Sequence, residues 1–524
     1  MTGSDPLADH ETPRLTAVPK ARHWPFAVAG LLIIVLYATH FAYCQRSTLP
    51  YLDVVLRDSD MSANLHWAEN IREQGWLDAH PYHPYTGWMQ AVAPYAQWVK
   101  WWGGEKIFQQ SPLYAYILAL FVHRSIWMRV LQALLSVGTC VFLGLATARM
   151  SGRRAGWIAF WLAALYAPFY VYAWPFLRDG LGWFITAALV WLLSELTHSE
   201  WSSDHARFYA WAVGALLGLG LLAKESYLLL VPLTWVTLGA FAWKRGHWGV
   251  VTRVAIATLL TISPLLVRNA LVGAPLLSSS NRFAETFVQG NAGTAHPYLA
   301  RIPAETGQIL NQTQGRTWPL LRAIIASHPD GLRGFLKLQF RKFLSLFDPY
   351  ESPDNLSFYF VAYVSPVVRF GLRYWMVLPA ALAGLFLSIW RRERAHVWVW
   401  ALLPVFFANL FIGIPLSRYR QSLMIFLIPL AGYFLAQLVS FIGRRQFRTA
   451  AYCGVAVLVG WGLILGPLSR QPRAQYERRM EYLYSAQILY RLGERQKEQA
   501  MEDVIRKKFP GFLASDSGSA PNIK

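Results

Sequence analysis

The strongest constraint on this chain is a succession of long apolar runs separated by short basic segments. About 20 apolar residues make a helix that crosses a bilayer, because a helix satisfies its own backbone polar groups there. Such runs fall at 25–44, 126–148, 157–174, 177–196, 208–223, 227–243, 250–272, 374–390, 397–414, 421–442 and 449–466. They predict an all-α polytopic membrane protein with about eleven transmembrane helices. Only 15% of the residues are charged, against about a quarter in a soluble protein, so the composition agrees. The net charge of +20 would otherwise suggest nucleic acid, but no nucleic-acid-binding motif accompanies it. Arg-rich turns between spans and a basic tail, both facing anionic lipid, account for it.

The basic connections 149–156, 244–249, 391–396 and 443–448 belong in the cytoplasm by the positive-inside rule, and the mixed loop 197–207 joins them. Residues 1–24 form a cytoplasmic N-terminal segment, and 25–44 read as a retained signal anchor, since no small-residue cleavage site follows. Residues 25–466 make the transmembrane domain, with two large outer loops at about 45–125 and 273–373. Both loops predict amphipathic helices lying at the interface; in 320–347, Arg322, Arg333, Lys337, Arg341 and Lys342 alternate with Leu, Ile and Phe. The tail, 467–524, is expected outside and helical, and its LYRLGERQKEQAMEDVIRK run resembles one tetratricopeptide-like hairpin. Cys44, Cys140 and Cys453 have neither metal-site nor disulfide spacing.

The candidate chemistry lies where the chain leaves the bilayer. After the first span comes Arg57-Asp58-Ser59-Asp60, then MSANLHWAENIREQGWL. Asp60, Asn64, Trp67, Ala68, Ile71 and Gly75 share one helical stripe, so an acid heads an otherwise mostly apolar face. Asp60, with Asp58 as the second candidate, suits a general base; equally, Asp58, Ser59 or Asp60 suits an N-cap. The outer span ends carry Arg178-Asp179, Lys224-Glu225, Arg268-Asn269, and Arg418 with Arg420. Charges at this depth are costly unless paired or facing a polar cavity, and guanidinium grips phosphate bidentately. Ion pairs that close hairpins, or snorkelling to headgroups, are the plainer alternatives.

In HPYHPYTGWM, His80, Tyr82, His83, Tyr85 and Trp88 form an aromatic–imidazole cluster, suited to stacking on a sugar or to packing a turn. No carboxylate in that stretch completes a two-His metal site, so no cofactor is predicted and a divalent metal lacks support. Gln289-Gly290-Asn291 and Tyr350-Glu351-Ser352-Pro353 suit turns or contacts to an acceptor.

Several segments in order resemble one family. They are Asp60 with Asn64, Trp67-Ala68 and Gly75; Phe108-Gln109-Gln110-Ser111-Pro112-Leu113-Tyr114; Leu177-Arg178-Asp179; Gly218 to Glu225; and Ser417-Arg418-Tyr419-Arg420. The pattern, spread over about 25–440, resembles the membrane-embedded GT-C glycosyltransferases, family-39-like enzymes that include protein O-mannosyltransferases and lipid A aminoarabinose transferase. Met61 stands where that family usually has a second acid, which removes the usual two-carboxylate metal site and leaves Asp58 to compensate.

The resemblance implies an inverting glycosyltransferase in a bacterial-type inner (plasma) membrane. It would move a sugar from a polyprenyl-phosphate donor to an envelope glycan, lipid or protein acceptor on the extracytoplasmic face. Asp60 would be the base, Arg178, Lys224, Arg268, Arg418 and Arg420 would hold phosphate, and Tyr82, His83 and Trp88 would meet sugar. A transporter or flippase of a lipid-linked or anionic solute predicts mid-bilayer charges and inverted repeats instead. An O-antigen ligase or polymerase would lean on the late loop and lack the acidic helix after the first span.

Overall fold

The computed structural model describes residues 24–466 and 479–509. The expectations for 1–23, 467–478 and 510–524 lie outside the described residues. The described chain is helical almost throughout, and nine helices are long and apolar enough to cross a membrane: Trp24–Gln45, Val122–Ser151, Asp179–His198, Asp204–Ala223, Tyr227–Arg245, Trp248–Val272, Arg394–Ile412, Ser417–Gly443 and Phe447–Leu465.

Two expected spans differ. Tyr374–Trp390 is helical but only 17 residues long. The run at 157–174 is two helices, Arg153–Ala164 and Ala167–Ala173, with Pro168 in the first turn of the second. Proline cannot continue a preceding helix but fits a first turn, where its missing N–H would have had no partner. The break is stitched to a distant segment: Ala167 N donates to Leu372 O at 2.8 Å, and Leu372 N donates to Leu165 O at 2.7 Å.

The spans pack through small residues. Asp204–Ala223 lies against Trp248–Val272, and a Cβ added at Gly214 would sit 2.4 Å from Val254 O. Tyr374–Trp390 meets Ser417–Gly443 the same way, with a Cβ at Gly384 falling 2.1 Å from Leu430 O. Helices in lipid gain little from apolar burial against one another, so this close approach is what holds them together. A buried ion pair ties the short helix Leu49–Val55 to the second span: Arg129 donates to Asp53 Oδ2 at 2.6 Å and lies 4.0 Å over the Trp174 ring.

The two long loops are built of short helices with a core of their own. Trp98, Trp101 and Trp102 of the first loop pack with Val288, Leu310 and Ile324 of the second. This core fixes the helix Phe283–Asn291, and with it Arg282 just before its first turn. In the tail, Met480–Arg491 and Arg495–Lys508 form a helical hairpin that turns at Gly493, where φ is +76°. Tyr482 packs edge-on to Phe360, with ring centroids 5.0 Å apart, and Ser357 N donates to Glu481 Oε1 at 3.1 Å. The hairpin thus buttresses the late part of the second loop.

Candidate active site

The acidic helix runs Asp60–Gln74, and its N-cap is Ser59, whose Oγ accepts from Ser62 N at 3.2 Å. With Ser59 supplying the cap, Asp60 occupies the first helical position and its side chain is free to reach elsewhere. Asn64, Trp67, Ala68 and Ile71 are buried, which anchors the stripe read from the sequence. Asn64 Nδ2 donates to Phe176 O at 2.9 Å, and Trp67 Nε1 donates to Asp78 Oδ2 at 2.7 Å.

Asp60 sits among cations drawn from distant parts of the chain. Oδ2 accepts from Arg418 Nη2 at 2.7 Å, and Oδ1 accepts from Arg282 Nη1 at 3.1 Å. Asn355 adds a reciprocal pair: its Nδ2 donates to Asp60 Oδ2 at 3.1 Å, and its Oδ1 accepts from Asp60 N at 2.6 Å. Arg418 Nε faces Asp354 Oδ2 at 2.9 Å and Asp179 Oδ2 at 3.6 Å. Burial alone would raise the Asp60 pKa, but Arg282, then Arg418, hold it well below the usual carboxylate range.

The turns at Arg178-Asp179 and Lys224-Glu225 pair crosswise. Lys224 Nζ donates to Asp179 Oδ1 at 2.6 Å, and Arg178 Nη1 donates to Glu225 Oε1 at 2.7 Å. Glu225 Oε1 also accepts from Ser111 N at 2.9 Å. Burial would raise the Glu225 carboxyl, yet Arg178 brings it down to about 2. Asp60, Asp179, Asp354 and Glu225 therefore face Arg178, Lys224, Arg282 and Arg418. The cluster lies at one end of the helix bundle, where Asp179–His198 and Ser417–Gly443 begin and Asp204–Ala223 ends. Arg418 is nearly enclosed, with 4% of its side chain exposed, whereas Arg282 at 25% forms the rim. Among the described residues, no group of three or more His, Cys, Asp or Glu converges to hold a metal ion.

The structure thus brings together Asp60, Arg178, Lys224 and Arg418 from the residues singled out in the sequence. It places the others apart. Asp58 is exposed, and its Oδ1 accepts from Gly87 N at 3.3 Å. Arg268 is buried over the Phe108 ring at 4.1 Å and donates to the carbonyls of Leu77, Asp78 and Lys106. Arg420 donates to the Asp348 and Tyr350 carbonyls at 2.8 and 2.7 Å and pairs with Glu351 at 3.1 Å. The aromatic cluster is a packed turn: His83 stacks on Trp102 at 5.1 Å and bonds Ile107 O, Tyr82 leans on His66 at 5.8 Å, and Trp88 meets Trp98 edge-on at 5.4 Å.

Three site residues escaped the sequence reading: Arg282, Asp354 and Asn355. Asp354 and Asn355 directly follow the Tyr350–Pro353 segment that punctuates the second loop, and Arg282 directly precedes an amphipathic helix. Nothing in local spacing links them to Asp60.

No protein-family model and no curated protein matches this sequence. Among solved structures, the fold is similar to the Archaeoglobus fulgidus oligosaccharyltransferase tethered with an acceptor peptide, at 14% identity and a TM-score of 0.41 over 88% of this chain. The chain spans only 57% of that protein's length. It is also similar to ArnT from Cupriavidus metallidurans bound to undecaprenyl phosphate, at 16% identity and a TM-score of 0.34, covering 80% of this chain and 78% of that one.

Proposed function

We propose that this chain is an inverting glycosyltransferase that moves a sugar from a polyprenyl-phosphate donor to a cell-envelope acceptor on the extracytoplasmic face. The observation that carries this reading is the convergence of Arg418, Arg282, Lys224 and Arg178 on carboxylates at one end of a membrane-type helix bundle. The donor's tail would remain in the bilayer while its phosphate reaches this end. There Arg282 and Arg418, held in place by Asp60, would present their further N–H groups to phosphate oxygens, each a charge-assisted contact. As the bond between sugar and phosphate breaks, negative charge grows on the phosphate, and fixed cations in a half-buried site stabilise it without reorganisation. Lys224, 14% exposed and pinned by Asp179, adds a further positive charge behind Arg418. The acid that the sequence picks to receive the acceptor's proton is Asp60, which also keeps the two guanidiniums in place.

The reading is tested by comparing envelope glycolipids and glycoproteins from cells with and without the protein. A glycan that disappears on deletion, and that Arg418→Ala fails to restore, supports it; an unchanged glycan profile overturns it.

A further inference from the structure

We propose that Asp354, rather than Asp60, takes the acceptor's proton, an inference that rests on the glycosyl-transfer reading above. Both oxygens of Asp60 are engaged by full donors: Arg282 on Oδ1, and Arg418 with Asn355 on Oδ2. A carboxylate so held is a weak base and has little room for a hydroxyl.

Asp354 differs on one oxygen. Its Oδ2 faces Arg418 Nε at 2.9 Å and accepts from Asn355 Nδ2 at 3.2 Å. No hydrogen bond reaches Oδ1 among the described residues. The same Asn355 Nδ2 stands 3.1 Å from Asp60 Oδ2, so one amide and one guanidinium bridge the two acids. The Asp354 side chain is 14% exposed, which leaves the open oxygen in the half-buried cluster and not in bulk solvent. Met61, fully buried and apolar, offers no second acid from the first-loop helix; the second loop brings one, Asp354, to Arg418 Nε.

In the step this geometry supports, the proton of the acceptor hydroxyl passes to Asp354 Oδ1. The acceptor oxygen's lone pair forms the new bond to the anomeric carbon while the bond from that carbon to the phosphate oxygen breaks. Its electron pair leaves on the phosphate, beside Arg418 and Arg282. Water then removes the proton from Asp354. A general base must come within hydrogen-bond reach of the hydroxyl, and a carboxylate with one unoccupied oxygen meets that need.

The test uses the full-length protein in native membranes, with the deletion-sensitive envelope glycan as product. Purified protein is titrated in parallel with undecaprenyl phosphate. Asp354→Asn is expected to bind undecaprenyl phosphate within about 3-fold of wild type but to transfer about 10²–10⁴-fold more slowly. Asp354→Glu is expected to restore part of the rate, with the acid limb of the pH–rate profile displaced, a change that a merely structural carboxylate would not produce. Transfer by Asp354→Asn within about 3-fold of wild type, while Arg418→Ala abolishes it, overturns Asp354 as the base and leaves the function standing. If Asp354→Asn does not fold, an unmoved acid limb in Asp354→Glu overturns it equally. A glycan profile indifferent to deletion of the protein overturns the function itself, and the base with it.

Discussion

Arg418 Nη2 lies 2.7 Å from Asp60 Oδ2, although 358 residues separate the two in sequence. The same guanidinium meets Asp354 and Asp179 through Nε, so three acids from three segments converge on one nearly enclosed cation. Such networks are poor devices for stability, because desolvating the charges offsets much of their mutual attraction. What the arrangement holds in place is a set of fixed cations whose counter-ions come from separate segments of the chain.

Arg418→Ala would leave Asp60, Asp179 and Asp354 without their shared cation. Breaking one side of a buried ion pair costs about 3–5 kcal/mol, so the variant should melt several degrees lower and lose glycan transfer. Arg418→Lys keeps the charge but loses the planar guanidinium that reaches Asp60 through Nη2 and Asp354 and Asp179 through Nε. It is expected to fold near wild type and to bind undecaprenyl phosphate about 10-fold more weakly, as read by titration of the purified protein. Wild-type affinity in the lysine variant would place Arg418 outside the phosphate site.

Asp60→Asn separates two roles of one side chain. Removing its charge releases Arg282 and Arg418, so undecaprenyl phosphate should bind as tightly as to wild type or more so. Transfer should still fall by about 10-fold or more, because the cations lose their anchor. Parallel binding and transfer assays check this. Weaker phosphate binding in Asp60→Asn would show that the carboxylate, and not its absence, creates the site.

The acid side of the stability profile follows from the same pairs. Asp60 is held well below the usual carboxylate range, and Glu225 is brought to about 2. A group whose pKa is depressed on folding contributes stability above its unfolded value, about 4 for Asp and Glu, and loses it as pH falls through the folded value. Thermal unfolding in detergent should therefore change little between about pH 7 and 5 for these groups and drop steeply from about pH 4 downward. Glu225→Gln should flatten the part of that drop between about pH 4 and 2. An identical acid profile in the variant would remove the Arg178–Glu225 pair from the account.

The sequence revealed the parts of this site whose signal is local. Apolar length announced the spans, because crossing a bilayer demands it whatever the rest of the fold does. Asp60 stood out as an acid on an apolar stripe, and Arg178, Lys224 and Arg418 as charges at span ends. Arg420 carries the same local signal as Arg418, yet it faces the Asp348–Glu351 turn, since the two lie on different sides of one helical turn. Arg282, Asp354 and Asn355 were silent because their meaning lies in loop packing around Trp98 and Trp102 and in contacts across 222 and 295 residues. The break at Pro168 was masked by hydropathy, which counts apolar residues but does not register the lost backbone donor.

The helical hairpin of the tail bears on the site through Glu481. Its Oε1 accepts from Ser357 N at 3.1 Å, two residues beyond Asn355, and Ser485 and Thr48 hydroxyls lie 2.6 Å apart nearby. Glu481 is fully buried, so it holds the end of the Asp354–Asn355 segment from a point with no room to yield. Glu481→Ala removes that acceptor and leaves a buried amide unsatisfied, a loss of about 1–3 kcal/mol. The segment should then exchange its amide hydrogens faster, and transfer should fall by about 10-fold, since small displacements of catalytic groups are costly. Hydrogen exchange over 351–360, measured beside transfer, checks both halves. Faster exchange with undiminished transfer would show that Asp354 and Asn355 need no support from the tail.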